Sequence, residues 1–185
     1  MKLVVGVPSN GEIKSETTKC IVEALFRTRM EAMWFMAPRG CYVHQNRNEV
    51  VEQALTSEFT HIIFIDSDMA FPPNAIQRLH DANKSIIGAA YNKRGVIPSQ
   101  TTVRSGYIGP LPLKPFICDG VGAGFLLIKT AVFKRIEPPW FFYTDLGGNN
   151  FEGEDYYFCR KARKAEYEVW CYPTMDIKHI GDYKY

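Results

Sequence analysis

An apolar run that ends abruptly in two acids constrains this chain more than any other stretch. Residues 62–65 read Ile-Ile-Phe-Ile, and Asp66 and Asp68 follow with one serine between them. The run is short and does not alternate with polar residues, which is typical of a strand buried on both faces of a parallel sheet. Because open α/β sheets bind ligands at the carboxyl ends of their strands, we expect Asp66 and Asp68 to face a cleft.

Two interpretations of this pair of acids are open at this point. Burying two like charges beside an apolar strand is costly unless a cation compensates for them. A divalent metal with a phosphate ligand would compensate, which indicates a metal–nucleotide site. The other interpretation is a solvated Asp-Ser-Asp turn, since a single Asp-x-Asp is a weak motif.

Length and composition limit the class of protein. A chain of 185 residues with 46% hydrophobic and 23% charged residues is typical of one folded domain with a proper core. The formal charge of +2 gives no sign of a nucleic-acid or membrane partner. Five scattered cysteines without a Cys-x-x-Cys favour reduced thiols over disulfides or a zinc site. No apolar stretch is long enough for a membrane span, so we expect a soluble, cytoplasmic protein.

Alternating strand and helix patterns predict an α/β fold. Strand-like apolar runs lie at residues 3–7, 31–36, 62–65, 85–91, 125–128 and 167–172. Helical patterns separate the runs of the first half, which gives a mostly parallel sheet flanked by helices. Prolines and glycines crowd residues 98–115. We interpret that stretch as a small antiparallel excursion within the same domain and not as a linker.

The second predicted helix follows the second strand-like run. Asn46 is suited to cap this helix, which would place Arg47 and Asn48 in its first turn. The positive end of a helix and these side-chain donors can meet an anion or a base. The alternative is a solvated helix start at which Arg47 pairs with a nearby acid.

Three glycines, Gly120, Gly122 and Gly124, precede the strand-like run at residues 125–128. Because no Gly-Lys-Ser/Thr accompanies them and the order is loop then strand, we reject a P-loop. We expect these glycines to let another chain segment or a bulky ligand approach the backbone.

Further acids and a histidine complete the set of candidate functional residues. Glu154 and Asp155 open a predicted helix, and His179 lies near the end of the sequence. Taken singly, the two acids complement a helix dipole and the histidine is an ordinary surface or core residue.

Taken together in this order, the motifs resemble those of the GT-A glycosyltransferases, most closely their family 2-like and galactosyltransferase-like members. The resemblance covers nearly the whole chain and depends on residues 64–69, 122–128 and 153–155. It implies a GT-A fold, a Rossmann-like and mostly parallel mixed sheet flanked by helices, in a single domain. Residues 1–91 would form the nucleotide-donor half and residues 92–185 the acceptor half. The small size is similar to compact viral, bacterial or archaeal members.

The resemblance also implies roles for the donor-side residues. Asp68 would ligate a divalent metal directly, and His179 would reach the same ion from the C-terminal side. Asp66 would contact the donor ribose or reach the metal through water. Two further positions, Pro8 and Ser9, match the lining of the nucleotide pocket. Arg47 matches that lining as well.

On the acceptor side, Glu154 and Asp155 match the pair that orients the acceptor hydroxyl and removes its proton in inverting members, with Asp155 as the base. A helix N-terminus would lower the pKa of Asp155 and keep it ionised for that role. A nucleotide diphosphate leaves with extra negative charge, which Mn²⁺ or Mg²⁺ neutralises. A mixed carboxylate–imidazole site favours Mn²⁺.

The implied reaction moves a sugar from a nucleotide-diphospho sugar, a UDP-sugar first and a GDP-sugar second, to a glycan or other hydroxyl acceptor. Two alternatives come from other classes. A haloacid-dehalogenase-like phosphatase also places Asp-x-Asp after an apolar strand, although normally after the first strand of the chain. A non-catalytic module that binds nucleotide sugars or glycans would keep the same pocket.

Overall fold

The computed structural model describes residues 1–92, 101–104 and 110–181. The helices of these ranges are α1 (Ser15–Arg27), α2 (Val43–Leu55), α3 (Ala75–Asp81), α4 (Thr130–Arg135) and α5 (Glu154–Lys164). The strands are β1 (Lys2–Gly6), β2 (Ala32–Met36), β3 (His61–Ile65), β4 (Met69–Ala70), β5 (Ile86–Ala89), β6 (Val103–Arg104), β7 (Phe116–Cys118), β8 (Gly120–Val121), β9 (Phe125–Lys129), β10 (Thr144–Asp145), β11 (Phe151–Glu152), β12 (Val169–Tyr172) and β13 (Lys178–His179).

A central seven-stranded sheet, ordered β2-β1-β3-β9-β5-β12-β7, organises the molecule. Five of these strands run in one direction, and β9 and β7 run against their neighbours. The predicted α/β class with a mostly parallel, helix-flanked sheet is therefore confirmed. The alternation of strands and helices does not predict strand order, and β9 enters the sheet between β3 and β5. This apolar strand takes a central place because its residues from Phe125 to Ile128 are buried.

The two faces of the sheet bury two separate apolar clusters. Ile62 and Phe64 of β3 pack into the cluster that includes residues of α2, α4 and α5. Ile63 and Ile65 point to the opposite face and join the cluster that includes residues of α1 and α3. Because successive strand residues face opposite sides, the unbroken run at 62–65 supplies both clusters. The expectation of a strand buried on both faces is confirmed.

Three small antiparallel pairs form two-stranded sheets apart from the central one. β13 pairs with β4, β10 pairs with β11, and β6 pairs with β8. Within the predicted excursion at 98–115, β6 pairs antiparallel with β8, which follows that stretch, while residues 93–100 and 105–109 lie outside the described ranges. None of the helices in the described ranges is both long and apolar enough to cross a membrane.

The start of α2 differs from the prediction. The helix begins at Val43, so Asn46, Arg47 and Asn48 lie inside it and the predicted cap at Asn46 is wrong. Tyr42 precedes the helix without a side-chain capping bond. The amide nitrogen of Asn46 instead donates to the carbonyl oxygens of Ser9 at 3.1 Å and Gly40 at 3.3 Å. The side chain that we assigned to local capping therefore makes tertiary hydrogen bonds from α2 to two loops.

Candidate functional site

A cleft lies at the carboxyl ends of β1 and β3. The two strands are parallel with Gly6 opposite Phe64, so the residues that follow them emerge at the same edge of the sheet. A cavity of about 250 Å³ is lined there by Pro8, Ser9, Asn10, Gly40, Cys41, Val43, Asn46, Asp66, Ser67 and Asp68. A second cavity of about 450 Å³ is lined by Asn10, Glu12, Ile13, Lys14, Ser15, Ser67 and Asp68. Because they share three lining residues, we treat the two as one cleft, and we call it the donor cleft after the role that the resemblance implies.

The donor cleft collects most of the residues predicted for the donor side. Pro8, Ser9, Asp66 and Asp68 all line its smaller cavity. Arg47 lines neither cavity, although its guanidinium donates a hydrogen bond to Asp66, which lines the smaller one. The sequence did not single out Cys41, which is exposed and borders the same cavity.

The β4–β13 pair brings the backbone around His179 close to the backbone of Asp68. His179 is opposite Met69 in this pair, and the backbone nitrogen of Ile180 donates to the carbonyl oxygen of Asp68 at 2.7 Å. Both functional side chains are buried. The Nδ1 atom of His179 lies 2.8 Å from the carbonyl oxygen of Asn92. Because a carbonyl can only accept, Nδ1 carries the proton of the neutral ring and Nε2 carries the lone pair, which is the arrangement of a metal-ligating histidine.

The chemistry of these two side chains fits a partly protein-ligated metal ion. Within residues 1–92, 101–104 and 110–181, no group of three or more His, Cys, Asp or Glu side chains is arranged to hold a metal. Asp68 lines both cavities of the cleft, whereas His179 is not among the lining residues of either. A divalent ion there would take its other oxygens from water and from a bound phosphate, as Mg²⁺ and Mn²⁺ commonly do.

A buried arginine joins Asp66 at the cleft to Glu154 at the start of α5. Arg47 is only 2% exposed, and its Nη2 donates to Oδ1 of Asp66 at 2.7 Å. Its Nη1 makes a second, very short contact with Oε1 of Glu154 at the start of α5. Burial alone would lower the pKa of Arg47, but Asp66 and Glu154 outweigh it and raise the pKa. The interpretation that Arg47 pairs with an acid describes these contacts, whereas a solvated helix start is wrong.

Asp155 is held with a raised pKa, in contrast to the expected lowering. Burial, followed by the negative charge of Glu154, raises the pKa of Asp155 to about 6. Arg47 and the backbone N–H of Tyr156, which donates to Oδ1 at 2.8 Å, oppose this shift. The helix N-terminus stabilises the ionised carboxylate, but the cost of removing that carboxylate from water is larger, so the pKa rises. Asp155 is therefore mostly ionised at pH 7 but gains a proton in mild acid.

An aromatic surface borders these acids. Edge-on contacts join the ring of His44 to Phe142 at 5.8 Å and to Tyr143 at 5.3 Å between centroids. Tyr42 lies 5.8 Å from the same His44 ring. Tyr42, Phe142 and Tyr143 are exposed. Burial, followed by the charge of Glu154 and a hydrogen bond to it, raises the pKa of Tyr143.

Asn48 positions this aromatic surface. Its Oδ1 accepts from the backbone nitrogens of Trp140 and Phe141, both at 3.1 Å. Its amide nitrogen donates to the carbonyl oxygen of Phe141 at 2.9 Å. Asn48 was predicted to contact an anion or a base from a first helical turn. Its side chain instead bonds to the backbone of Trp140 and Phe141. Three bonds from one side chain hold the loop that carries Phe142 and Tyr143 against α2.

The glycines before β9 make room for a tyrosine that the sequence did not reveal. The backbone nitrogen of Gly124 donates to the hydroxyl of Tyr91 at 2.8 Å. A Cβ atom at Gly122 or Gly124 would lie 2.5 Å from that hydroxyl oxygen, which is too close. The expectation that these glycines admit another chain segment is confirmed. The ring of Tyr91 also meets the His179 ring edge-on at 5.0 Å, so it supports both Asp66 and His179.

Comparisons with known proteins bear on the fold. No protein-family model matches the chain, and no curated protein matches it. Among solved structures, it is similar to that of A197 from STIV, with a TM-score of 0.69 and 16% identity over 98% of this chain and 87% of that one. It is also similar to an inositol-1-phosphate CTP transferase from T. maritima, with a TM-score of 0.56 and 11% identity over 97% of this chain and 88% of that one. Identities this low show the shared fold alone.

We predict that Arg47→Met lowers the free energy of unfolding by about 3–5 kcal/mol, because it leaves two carboxylates without their shared cation. Urea denaturation measures the change. The matched control is Arg163→Met, which breaks a half-exposed pair with Asp119 and is expected to cost at most about 1 kcal/mol. Adding Glu154→Gln to Arg47→Met should restore part of the loss. Equal costs for Arg47→Met and Arg163→Met would contradict the account.

We predict that Gly124→Ala destabilises the protein by about 1–3 kcal/mol through overpacking. The added Cβ would meet the Tyr91 hydroxyl at 2.5 Å and Oδ2 of Asp66 at 2.8 Å. Tyr91→Phe removes the first of these contacts, so the double variant should lose less than the sum of the two single losses. Thermal unfolding of the four proteins measures this coupling. Strict additivity would show that Tyr91 is not the obstacle.

We predict that Asp155→Asn stabilises the metal-free protein at pH 7 by about 1–3 kcal/mol. The pKa of Asp155 is about 6 in the folded state against 3.8 ordinarily, so the unfolded chain releases its proton first as the pH rises. The stability that wild type has below its ordinary pKa is therefore lost between about pH 4 and pH 6. Urea denaturation from pH 4 to pH 8 in chelator measures this, with exposed Glu52→Gln as the charge control. If the difference in unfolding free energy between Asp155→Asn and wild type did not change with pH, the burial of an ionisable acid at this position would be refuted.

Proposed function

We propose that this chain is a metal-dependent GT-A glycosyltransferase that moves a sugar from a nucleotide-diphospho sugar to an acceptor hydroxyl. The observation that carries the proposal is the bridge made by Arg47. It links Asp66, which lines the donor cleft, to Glu154, the neighbour of the candidate base. The donor and acceptor functions implied by the motifs therefore belong to adjoining surfaces joined by one side chain. A description of one structural neighbour as a CTP transferase agrees, at a coarse level, with a transferase that uses nucleotides.

The donor cleft suits a nucleotide diphosphate carrying a sugar. Its two cavities together fall in the size range of sites for small molecules and cofactors. Pro8 and Ser9 would border the nucleoside, with a UDP-sugar as the first candidate and a GDP-sugar as the second. Asp66 has one carboxylate oxygen held by Arg47, so it is better suited to accept a ribose hydroxyl or a metal-bound water than to ligate an ion directly.

Asp68 and His179 would hold the metal ion, with Mn²⁺ favoured over Mg²⁺ because one donor is an imidazole. When bound, the ion supplies positive charge to the diphosphate as it leaves. The bond between Nδ1 of His179 and the Asn92 carbonyl fixes the ring so that Nε2 presents its lone pair. The pairing of β13 with β4 places His179 opposite Met69, the residue that follows Asp68.

Asp155 would act as the general base of an inverting reaction. The bond between the sugar carbon and the diphosphate oxygen breaks, the acceptor oxygen bonds to that carbon, and the hydroxyl proton passes to the Asp155 carboxylate. A pKa of about 6 leaves this carboxylate ionised yet basic enough to accept a proton near neutral pH. Glu154 is bonded to Arg47 and to Tyr143, which fits a role in orienting the acceptor and not in removing the proton.

The acceptor would be a glycan or another hydroxyl compound that rests on the aromatic surface beside α5. Tyr42, Phe142 and Tyr143 offer exposed rings whose faces pack against the C–H groups of a sugar. The neighbouring carboxylates of Glu154 and Asp155 accept hydrogen bonds from hydroxyl groups and repel phosphates. These features favour an uncharged acceptor with several hydroxyls.

The two alternatives are less well supported. In a phosphatase of the haloacid-dehalogenase type, the first acid of the motif attacks phosphorus, but Arg47 here holds Asp66 by an ion pair that weakens it as a nucleophile. A non-catalytic binding module would bind the donor without turnover, and the assay below separates it from an enzyme.

We expect UDP or GDP to raise the melting temperature in the presence of Mn²⁺ by several degrees and without metal by much less. Asp68→Asn and His179→Gln should each remove the metal-dependent part, while exposed Glu52→Gln leaves it intact. Asp155→Asn should keep nucleotide binding and lose transfer by about 10²–10⁴-fold, and kcat/KM of wild type should fall below about pH 6. The donor site fails as a proposal if UDP, GDP and CDP leave the melting temperature unchanged at millimolar concentration.

Cys41 provides a readout of donor binding that does not depend on turnover. Its thiol is exposed and borders the smaller cavity of the donor cleft. A nucleotide with Mn²⁺ should therefore slow alkylation of Cys41, measured by mass spectrometry. Cys20, which is half-buried and lines a different cavity, is the internal control and should react at an unchanged rate. Equal protection of both thiols would indicate a general change in stability and not occupancy of the cleft.

A further inference from the structure

The edge strand β2 lacks the features that usually protect a sheet edge. It is the outermost strand of the seven and, among the described residues, pairs with β1 alone. Its sequence, Ala-Met-Trp-Phe-Met, contains no charge and no proline. Met33, Trp34 and Phe35 are 43%, 36% and 42% exposed. Edge strands of monomers commonly carry lysine, proline or a bulge, because an unprotected edge pairs with another chain.

Helix α1 continues the apolar surface on one face of this edge. Val22 and Phe26 are 47% and 87% exposed. A groove of about 290 Å³ between α1 and β2 is lined by Thr18, Ile21, Val22, Leu25, Met33 and Phe35. On the other face, the ring of Trp34 lies 6.0 Å from that of Phe59. Both faces of the edge are therefore apolar, and such a continuous patch marks an interaction surface.

The backbone of β2 offers bonding groups in a defined register. The carbonyl oxygen of Met36 accepts from the nitrogen of Val7, so the even-numbered residues of β2 direct their backbone groups towards β1. The N–H and C=O groups of Met33 and Phe35 consequently point away from the sheet. Two residues with outward-pointing groups, separated by one, are the minimum unit of an antiparallel ladder.

We propose that β2 binds β2 of a second copy of this chain, antiparallel and about a twofold axis at Trp34. Met33 then forms hydrogen-bonded pairs with Phe35 of the partner subunit, and the two Trp34 residues are directly opposite. A second copy is the occupant that this edge fits, because an antiparallel strand pair is self-complementary and closes with twofold symmetry. The absence of charge from the strand disfavours nucleic acid and acidic or basic peptides as occupants.

The exposed area is sufficient for such a dimer, though not for a tight one. With about 150–250 Å² for each aromatic side chain, the exposed fractions of Phe26, Trp34 and Phe35 amount to roughly 300 Å² per copy. Val22, Met33 and the backbone of the edge add to that figure in both copies. If all of this surface is covered, the total reaches about 1,000 Å², which is the lower limit for a specific interface, so we expect a weak dimer.

Sedimentation equilibrium of the whole chain from about 1 to 100 μM tests the proposal. Wild type should dimerise, and Phe35→Lys should weaken dimerisation at least tenfold, since it buries a charge opposite Met33 of the partner subunit. Met33→Lys is the second variant, and circular dichroism confirms that both are folded. The matched control is Phe151→Lys, an exposed aromatic on β11 outside the patch, which should leave dimerisation unchanged. A monomeric wild type at 100 μM, or a dimer that both lysine variants retain, overturns the proposal.

A disulfide tests the register independently of affinity. Trp34→Cys in a Cys20→Ser, Cys41→Ser background places two thiols directly opposite at a non-hydrogen-bonded pair, where the Cα atoms lie about 4.5 Å apart. Mild oxidation should give a covalent dimer of the folded protein within minutes. Leu113→Cys, at an exposed apolar residue outside the patch, is the control and should not cross-link at the same concentration. Equal cross-linking of both variants would refute the register.

Discussion

The candidate site depends on the buried guanidinium of Arg47, which pairs with both Asp66 and Glu154. Asp66 follows a strand in the middle of the sheet, and Glu154 begins a helix that packs on one face of it. Glu154 is buried and Asp66 is partly buried, so two like charges this close to one another would repel without a shared cation. Arg47 supplies that cation from α2 and is itself buried, so its charge depends on the two acids as much as theirs depend on it. Arg47 therefore joins Asp66 at the cleft to Glu154 at the start of α5 in one ion-paired unit.

A second constraint is steric and comes from β9. This strand enters between β3 and β5, and the glycines that precede it let the Tyr91 hydroxyl contact the backbone of Gly124. Tyr91 in turn packs on the ring of His179. The side chains proposed to hold a metal are thus supported from the middle of the sheet. Rigid support of this kind is what a site of only two direct protein ligands requires to keep its geometry.

Several features followed from the sequence because they depend on local pattern. The unbroken apolar run at 62–65 predicts a strand buried on both faces, and the two acids after it are placed by the general behaviour of strand ends. The antiparallel pairing that puts His179 opposite Met69 was beyond such reasoning, since two-residue strands carry no periodicity. We expected the helix dipole to lower the pKa of Asp155, but burial raises it, and burial is visible only in the packed structure. Arg47 was predicted to lie at a helix start because the true start at Val43 has no capping residue before it that the sequence would show.

The Arg47 bridge also bears on how this protein can change over evolutionary time. A substitution at position 47 alone leaves two neighbouring carboxylates without their shared cation, and a substitution at position 66 or 154 alone leaves Arg47 with one of its two carboxylate partners. Change at these three positions is therefore expected to be concerted, passing through intermediates of low stability. Divergent relatives should carry either all three residues or a jointly altered set, even where the remainder of the sequence has little in common.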